Sequence, residues 1–310
     1  MANGVNERRR KKKMIQQTKN HQTPSFHFLH THTHTQRYIT MVKSIAVFGG
    51  NGFLGRKLCE VGIRRGYEVT SFSRHGEPPE SVIHQTWVSK VNWEFGDIFE
   101  PKTYNEKLNS FDTIIHSIGI LFENTNYKKT MNSNFNFLSD IQQLSNSILN
   151  SGGKNPMQKE NIKNTYDSIQ RDSAVILADN YIKFKKEEPR NFIYVSADKN
   201  PPMVPEEYLI TKREAEFELS CKKGLRSLFL RPGIMYDETH EGGLTTRDVL
   251  LRGLRFGVGL KECLIGNKFA NELVRPIVST EQVAETMFDK LEQPEFKGVV
   301  TVEEMKNKKL

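Results

Sequence analysis

Cysteine, tryptophan and long apolar runs are all scarce in this chain of 310 residues. The three cysteines, Cys59, Cys221 and Cys263, are odd in number and far apart. That excludes a disulfide framework, fits a reducing compartment, and provides no metal-ligand spacing. No apolar run approaches the roughly 18 residues of a membrane-spanning helix. The first residues also lack the apolar segment of a secretory signal. Acidic charge is thin only at one end. Residues 1–40 hold Arg8, Arg9, Arg10, Arg37, Lys11, Lys12, Lys13 and Lys19 against Glu7 alone, a surplus of +7 out of a formal +8. The remaining chain is close to neutral, so the high pI of about 9.2 describes a tail and excludes a basic nucleic-acid-binding body.

Hydrophobic content is low, at 36%, but the apolar residues gather in short strand-like runs, enough for one large α/β core. Residues 1–42 read as a disordered basic extension. Three readings fit them: a mitochondrial targeting peptide, basic and acid-poor but without a clean apolar face; a basic nuclear or nucleic-acid patch; or a dispensable leader before a natural start at Met41.

From Met41 strands and helices alternate. Strands are predicted at 44–48, 68–73, 91–95, 111–116, 191–196 and 228–231, with a last one at 298–302. Helices are predicted at 53–65, 165–186, 208–222, 246–256 and 280–291. This rhythm argues for a doubly wound, Rossmann-type parallel sheet. The expected division is a dinucleotide-binding domain over 43–230 and a small C-terminal substrate lobe over 231–310. An Asn-, Ser- and Lys-rich insertion at 124–164 falls after the fourth strand, at the edge where ligands bind.

The chain is organised around Lys43 to Gly55. Ser44 to Phe48 is an apolar strand, Gly49, Gly50, Gly52 and Gly55 follow, and Leu54, Leu58 and Val61 then recur at helical spacing. Gly50, Gly52 and Gly55 fit G-x-G-x-x-G, and Gly49, Gly52 and Gly55 fit G-x-x-G-x-x-G. Strand, glycine turn and helix together predict dinucleotide binding by Gly49, Gly50, Asn51, Gly52, Phe53, Leu54 and Gly55, with the pyrophosphate at the helix N-terminus.

The end of the second strand selects the cofactor. An acid there accepts from the ribose 2′-hydroxyl of NAD, whereas an arginine suits the 2′-phosphate of NADP. Here the strand ends Ser73-Arg74 with no acid at its tip, which predicts NADP(H) over NAD(H). A guanidinium there makes charge-assisted bonds worth about 1.5–3 kcal/mol each. Asp97-Ile98, just after the third strand, stands where the adenine edge is met.

Tyr208 and Lys212 form Y-x-x-x-K, which places both on one helix face. An ammonium beside the phenol favours the phenolate. Lowering its pKa by about 3 units takes roughly 4 kcal/mol of differential stabilisation. Tyr208 would then exchange a proton with a carbonyl or alcohol oxygen, and Ser196, at the end of the fifth strand, would hydrogen-bond that same oxygen. A second match, Tyr181 to Lys185, precedes the fifth strand and is expected away from the ligand edge.

Together, Gly49 to Gly55, Asp97-Ile98, Ser196, Tyr208 with Lys212, and Arg231-Pro232-Gly233 resemble the extended short-chain dehydrogenases/reductases over residues 43–310. Val47 to Gly55, His116 to Leu121, Tyr194-Val195-Ser196-Ala197-Asp198-Lys199, Lys212-Arg213-Glu214-Ala215-Glu216 and Arg231-Pro232-Gly233 resemble the atypical branch of that superfamily. That branch includes the NADPH-binding accessory subunit of respiratory complex I and a subunit of the mitochondrial coenzyme Q (ubiquinone) biosynthetic complex. The resemblance implies cofactor contacts from Ser117 and Lys212, coenzyme Q complex proteins as partners, and a peripheral place on the matrix side of the inner membrane. His116-Ser117-Ile118-Gly119 departs from the Asn-Ala-Gly type of ordinary dehydrogenases.

Two functions follow as expectations. One is an NADP(H)-dependent oxidoreductase acting on an apolar or quinone-related small molecule. The other is a nucleotide-binding assembly or regulatory subunit that does little chemistry. Arg247 to Arg255 is basic and amphipathic, and reads either as a helix of the substrate lobe or as a contact with an anionic membrane surface.

Overall fold

The computed structural model describes residues 43–121, 165–186, 188, 190–200, 204–237 and 276–310. The basic extension, the 124–164 insertion, Cys263, the predicted helix at 246–256 and the amphipathic segment within it lie outside the described residues.

The central strand is β1 (Ser44–Phe48). It leads through the glycine turn into α1 (Phe53–Arg64), which ends at Gly66, a residue with φ of 82° and so in the left-handed conformation glycine tolerates. β2 (Glu68–Ser73), β3 (Asn92–Phe95) and β4 (Thr113–His116) follow. After the insertion, a π-helical turn over Asp167–Asp172 runs into α2 (Ser173–Phe184). Then come β5 (Asn191–Val195), α3 (Glu207–Ser220), β6 (Arg226–Leu230) and β7 (Ile234–Tyr236). The described chain closes with β8 (Ile277–Ser279), α4 (Thr280–Leu291), β9 (Gly298–Val300) and α5 (Val302–Lys306).

Seven strands form one parallel sheet in the order β3-β2-β1-β4-β5-β6-β9, and β7 pairs with β8 in a separate two-stranded sheet. The predicted doubly wound sheet is therefore the observed one. Alternation along β1 explains its two layers. Ile45 and Val47 face Leu58 and Val61 of α1 and Met287 and Phe288 of α4, while Ala46 and Phe48 face Leu177 and Tyr181 of α2 and Leu219 of α3. α1 and α4 are also joined by ion pairs, among them Lys57 with Glu281 at 3.4 Å and Arg65 with Asp289 at 2.6 Å.

The stretch read as a C-terminal lobe supplies an edge strand, β9, and the helix α4 to this main body. β7 and β8, three residues each, and α5 escaped the sequence reading because segments so short carry little periodicity. α5 starts at a capping box in which Thr301 and Glu304 satisfy each other's backbone N–H, so the strand predicted to run to Val302 stops at Val300.

Candidate functional site: a glycine turn facing a buried tyrosine–lysine pair

The strand order reverses at β1 and β4, which opens a crevice above their carboxyl ends. The glycine turn lines one side. Gly49 has φ of 93°, and a Cβ there would stand 3.0 Å from the Ser117 carbonyl. A Cβ on Gly50 would meet the Ser71 hydroxyl at 2.2 Å, and one on Gly55 would meet the Gly49 carbonyl at 2.1 Å. These three glycines are demanded by the fold of the turn itself. Gly52 differs. It is exposed at the N-cap of α1, and a Cβ there would meet only the Gly49 carbonyl, at 3.1 Å. Its bare backbone and the free N–H groups of the first turn of α1 form a cradle that a side chain would partly fill, which fits a pyrophosphate. Phe53 and Leu54 open the helix, Leu54 with its side chain in the core. The half-buried Asn51 ties the turn to the loop after β2, its amide donating to the Glu77 carbonyl at 2.9 Å.

On the β2 side, Ser73 Oγ accepts from the Gly76 N–H at 3.1 Å, which folds the chain back just after the exposed Arg74. Asp97 Oδ1 accepts from the Phe99 N–H at 2.9 Å, and the Ile98 carbonyl accepts from the buried Tyr104 hydroxyl at 3.0 Å. The Asp97-Ile98 corner is therefore rigid. Ser117 follows β4 and its N–H donates to the Phe48 carbonyl at 2.9 Å, beside Gly49.

Tyr208 and Lys212 lie in the first two turns of α3, both buried. Lys212 Nζ is 5.6 Å from the centre of the Tyr208 ring and 5.2 Å from that of Tyr194, and donates to the Val195 carbonyl at 2.9 Å. A Cβ on Gly119 would stand 3.7 Å from it, so the amine sits under the loop after β4. Burial lowers the Lys212 pKa to about 7, with Glu216 pulling the other way. Around Tyr208 the surface is apolar. Ile120, Ile169, Ala197 and Val204 pack there, and the Tyr166 ring meets Tyr208 edge-on with centroids 6.1 Å apart.

The Ser196 hydroxyl accepts from Arg213 Nη1 at 2.9 Å, and Arg213 Nη2 donates to the carbonyls of Ala197 and Asp198, each at 2.8 Å. Glu216, buried on α3, accepts from Arg213 at 2.7 Å and from Arg231 at 3.0 Å. The structure thus brings Lys212 to Tyr208, gives Ser196 to Arg213, and puts Ala197 in the apolar cluster with Tyr208. The other Y-x-x-x-K match lies at the opposite edge of the sheet. There the Tyr181 hydroxyl donates to the Phe111 carbonyl at 3.1 Å and Lys185 pairs with Asp112 at 3.4 Å, both just before β4.

A model of the NAD dependent epimerase/dehydratase family matches residues 45–152. MIOREX complex component 2 of Saccharomyces cerevisiae is 39% identical over 279 residues, 86% of this chain and 99% of the yeast protein. This chain belongs to the NAD dependent epimerase/dehydratase family. An uncharacterized chloroplastic protein of Arabidopsis thaliana is 25% identical over 84% of this chain and 76% of its own length. Among solved structures, the enzyme WbmG of Bordetella bronchiseptica in complex with NAD shares the fold at a TM-score of 0.50, with 13% identity, 84% of this chain and 72% of that chain covered.

Epimerase/dehydratase membership makes this an extended short-chain dehydrogenase/reductase fold with a nucleotide crevice, and the glycine turn described above fits that group. Sequence reasoning missed several residues that shape the crevice. Gln170, in the π-helical turn, donates to the Ile120 carbonyl at 3.2 Å and accepts at its own carbonyl from the Tyr194 hydroxyl at 2.9 Å. The Tyr166 hydroxyl donates to the Leu121 carbonyl at 2.7 Å. These bonds hold the loop after β4 over Lys212. His116, fully buried, pairs through Nε2 with Ser173 Oγ at 2.8 Å, and that hydroxyl donates to the Ile169 carbonyl at 2.6 Å. Because the Ser173 proton is committed, Nε2 carries the imidazole proton. Burial, with the nearby Lys212 charge, lowers the His116 pKa to about 3 and keeps the ring neutral.

Proposed function

We propose that this protein is an NADP(H)-binding member of the family, acting in mitochondrial ubiquinone (coenzyme Q) biosynthesis as a peripheral, matrix-side component of a multi-protein complex. In this reading Gly49 to Gly55, Ser117 and Lys212 hold the dinucleotide, Ser73 and Arg74 meet its adenosine ribose, and Asp97 and Ile98 meet the adenine. A bound nicotinamide supplies hydride transfer. Tyr208 exchanges the proton with a carbonyl or quinone-related oxygen, and Lys212 positions Tyr208 and the cofactor ribose.

The observation that carries the reading is the Tyr208–Lys212 pair, with its amine fixed on the Val195 carbonyl and its phenol in an apolar, aromatic-walled site. An apolar wall suits an apolar ring substrate and strengthens every charge interaction within it. The absence of an acid at the end of β2 supports NADP(H). The yeast relative's name, a complex component, supports a partner-bound setting. The basic, acid-poor extension and the resemblance to the coenzyme Q subunit support the location.

A second reading has its own support. The Ser196 hydroxyl, expected to assist Tyr208, accepts from the Arg213 guanidinium. That favours a nucleotide-binding assembly or regulatory subunit. Cells lacking the protein, complemented with wild type or Tyr208→Phe and profiled for quinone precursors, separate the two. An oxidoreductase loses complementation with Phe, while a scaffold keeps it. A normal quinone profile in cells lacking the protein ends the ubiquinone assignment. Calorimetry showing no saturable uptake of NADPH or NADP⁺ ends the cofactor assignment.

A further inference from the structure

Arg56 has an unusual setting. It directly follows Gly55 in α1, whose first turn contains no acid, so its charge lies near the positive end of the helix dipole and opposes it. The side chain is half-buried, and that burial lowers its pKa while the Asp237 charge pulls the other way. Among the described residues its side-chain hydrogen bond is from Nη1 to Ser81 Oγ, at 2.7 Å, and no carboxylate lies within ion-pair distance. A guanidinium has five N–H donors, and a desolvated cation with most of them unspent costs stability until an anion meets it.

Its direction identifies the anion. Helix side chains lean toward the helix N-terminus, here toward the glycine turn. Ser81 belongs to the loop that leaves β2 through Arg74. The same loop is tied to the glycine turn by Asn51, whose amide donates to the Glu77 carbonyl and whose Oδ1 is buried without a partner. Arg74 enters the loop at its start, and Arg56 reaches it from α1. The loop's own carboxylates, Glu77 and Glu80, are exposed. β2 is the neighbour of β1 on the side away from Tyr208, so the space between these two arginines faces the adenosine half of the crevice.

We propose that Arg56 joins Arg74 on the 2′-phosphate of NADP(H) and sets the preference for a phosphorylated adenosine ribose. This rests on the NADP(H) reading. Wild type, Arg56→Gln and Arg56→Lys are titrated by calorimetry with NADPH, NADH, 2′,5′-ADP and 5′-AMP. For Arg56→Gln the dissociation constants of NADPH and 2′,5′-ADP rise by about tenfold or more, the scale of one charge-assisted bond, while those of NADH and 5′-AMP stay within about twofold. Arg56→Lys recovers part of the loss. An equal loss for phosphorylated and unphosphorylated ligands overturns the proposal and gives Arg56 to the pyrophosphate or to the fold. Unchanged binding of all four overturns it as well. Failure of the NADP(H) reading itself is seen earlier, in wild type that takes up neither NADPH nor 2′,5′-ADP.

Discussion

Lys212 Nζ lies between the faces of Tyr208 and Tyr194, 5.6 Å and 5.2 Å from their centres, and bonds the Val195 carbonyl. The cation–π contacts and the carbonyl only partly replace lost water. Burial accordingly lowers its pKa to about 7, against about 10.4 in an unfolded chain. Between those values the unfolded chain holds a proton that the folded chain lacks, so stability rises with pH across that window. The melting temperature of wild type minus that of Lys212→Met should therefore climb from pH 7 to pH 10. Thermal melts at several pH values check this, and a constant difference would show an ordinary lysine.

The glycine turn offers a separation of fold from binding. Gly55→Ala drives a Cβ to 2.1 Å from the Gly49 carbonyl and 2.8 Å from Gly50 Cα, both backbone atoms. Overpacking of this kind costs about 1–3 kcal/mol. Gly52→Ala meets one carbonyl at 3.1 Å and otherwise points to solvent. Gly55→Ala should lower the urea midpoint and impair NADPH uptake together. Gly52→Ala should keep the midpoint close to wild type and still weaken NADPH binding, as calorimetry would read. A Gly52→Ala protein with full affinity would remove the cradle from the phosphates.

What the sequence made legible follows from range. Ser44 to Phe48, the four glycines and the spacing of Leu54, Leu58 and Val61 are local signals, and they placed β1, the turn and α1 within one residue of their observed bounds. Tyr208 and Lys212 were likewise paired by helical spacing alone, and the edge of the sheet told them from Tyr181 and Lys185. Ser196 was harder. Its position after β5 is local, but the direction of its hydroxyl depends on Arg213, seventeen residues later, which no strand or helix period reveals. The π-helical turn at Asp167–Asp172 was read as plain helix, because a wider turn is chosen by what it packs on: the Tyr194 hydroxyl and the Ile120 carbonyl.

His116 predicts an acid response of its own. Its folded pKa of about 3 lies below the unfolded value of about 6.5. The unfolded chain takes the proton first as pH falls, so stability present above pH 6.5 is lost progressively toward pH 3. His116→Gln keeps a donor for Ser173 without the titration. Urea midpoints from pH 7 down to pH 4 should fall more steeply in wild type than in this variant, and parallel curves would contradict the buried neutral ring.

Glu216 has 7% of its side chain exposed and faces two guanidinia, Arg213 and Arg231, each 30% exposed. The asymmetry decides the energetics. Either arginine can lose its partner and turn to water, but the carboxylate cannot. Arg231→Met leaves Glu216 with Arg213 and should cost about 1 kcal/mol. Arg213→Met leaves it with Arg231 but also removes the donors to Ser196 and to the Ala197 and Asp198 carbonyls, and should cost about 2–3 kcal/mol. The double variant strands a buried carboxylate, so its cost should exceed the sum of the singles. Adding Glu216→Gln to the double variant should restore part of that loss. A double-mutant cycle by urea denaturation measures the coupling, and simple additivity would mean that the two arginines do not share Glu216 in solution.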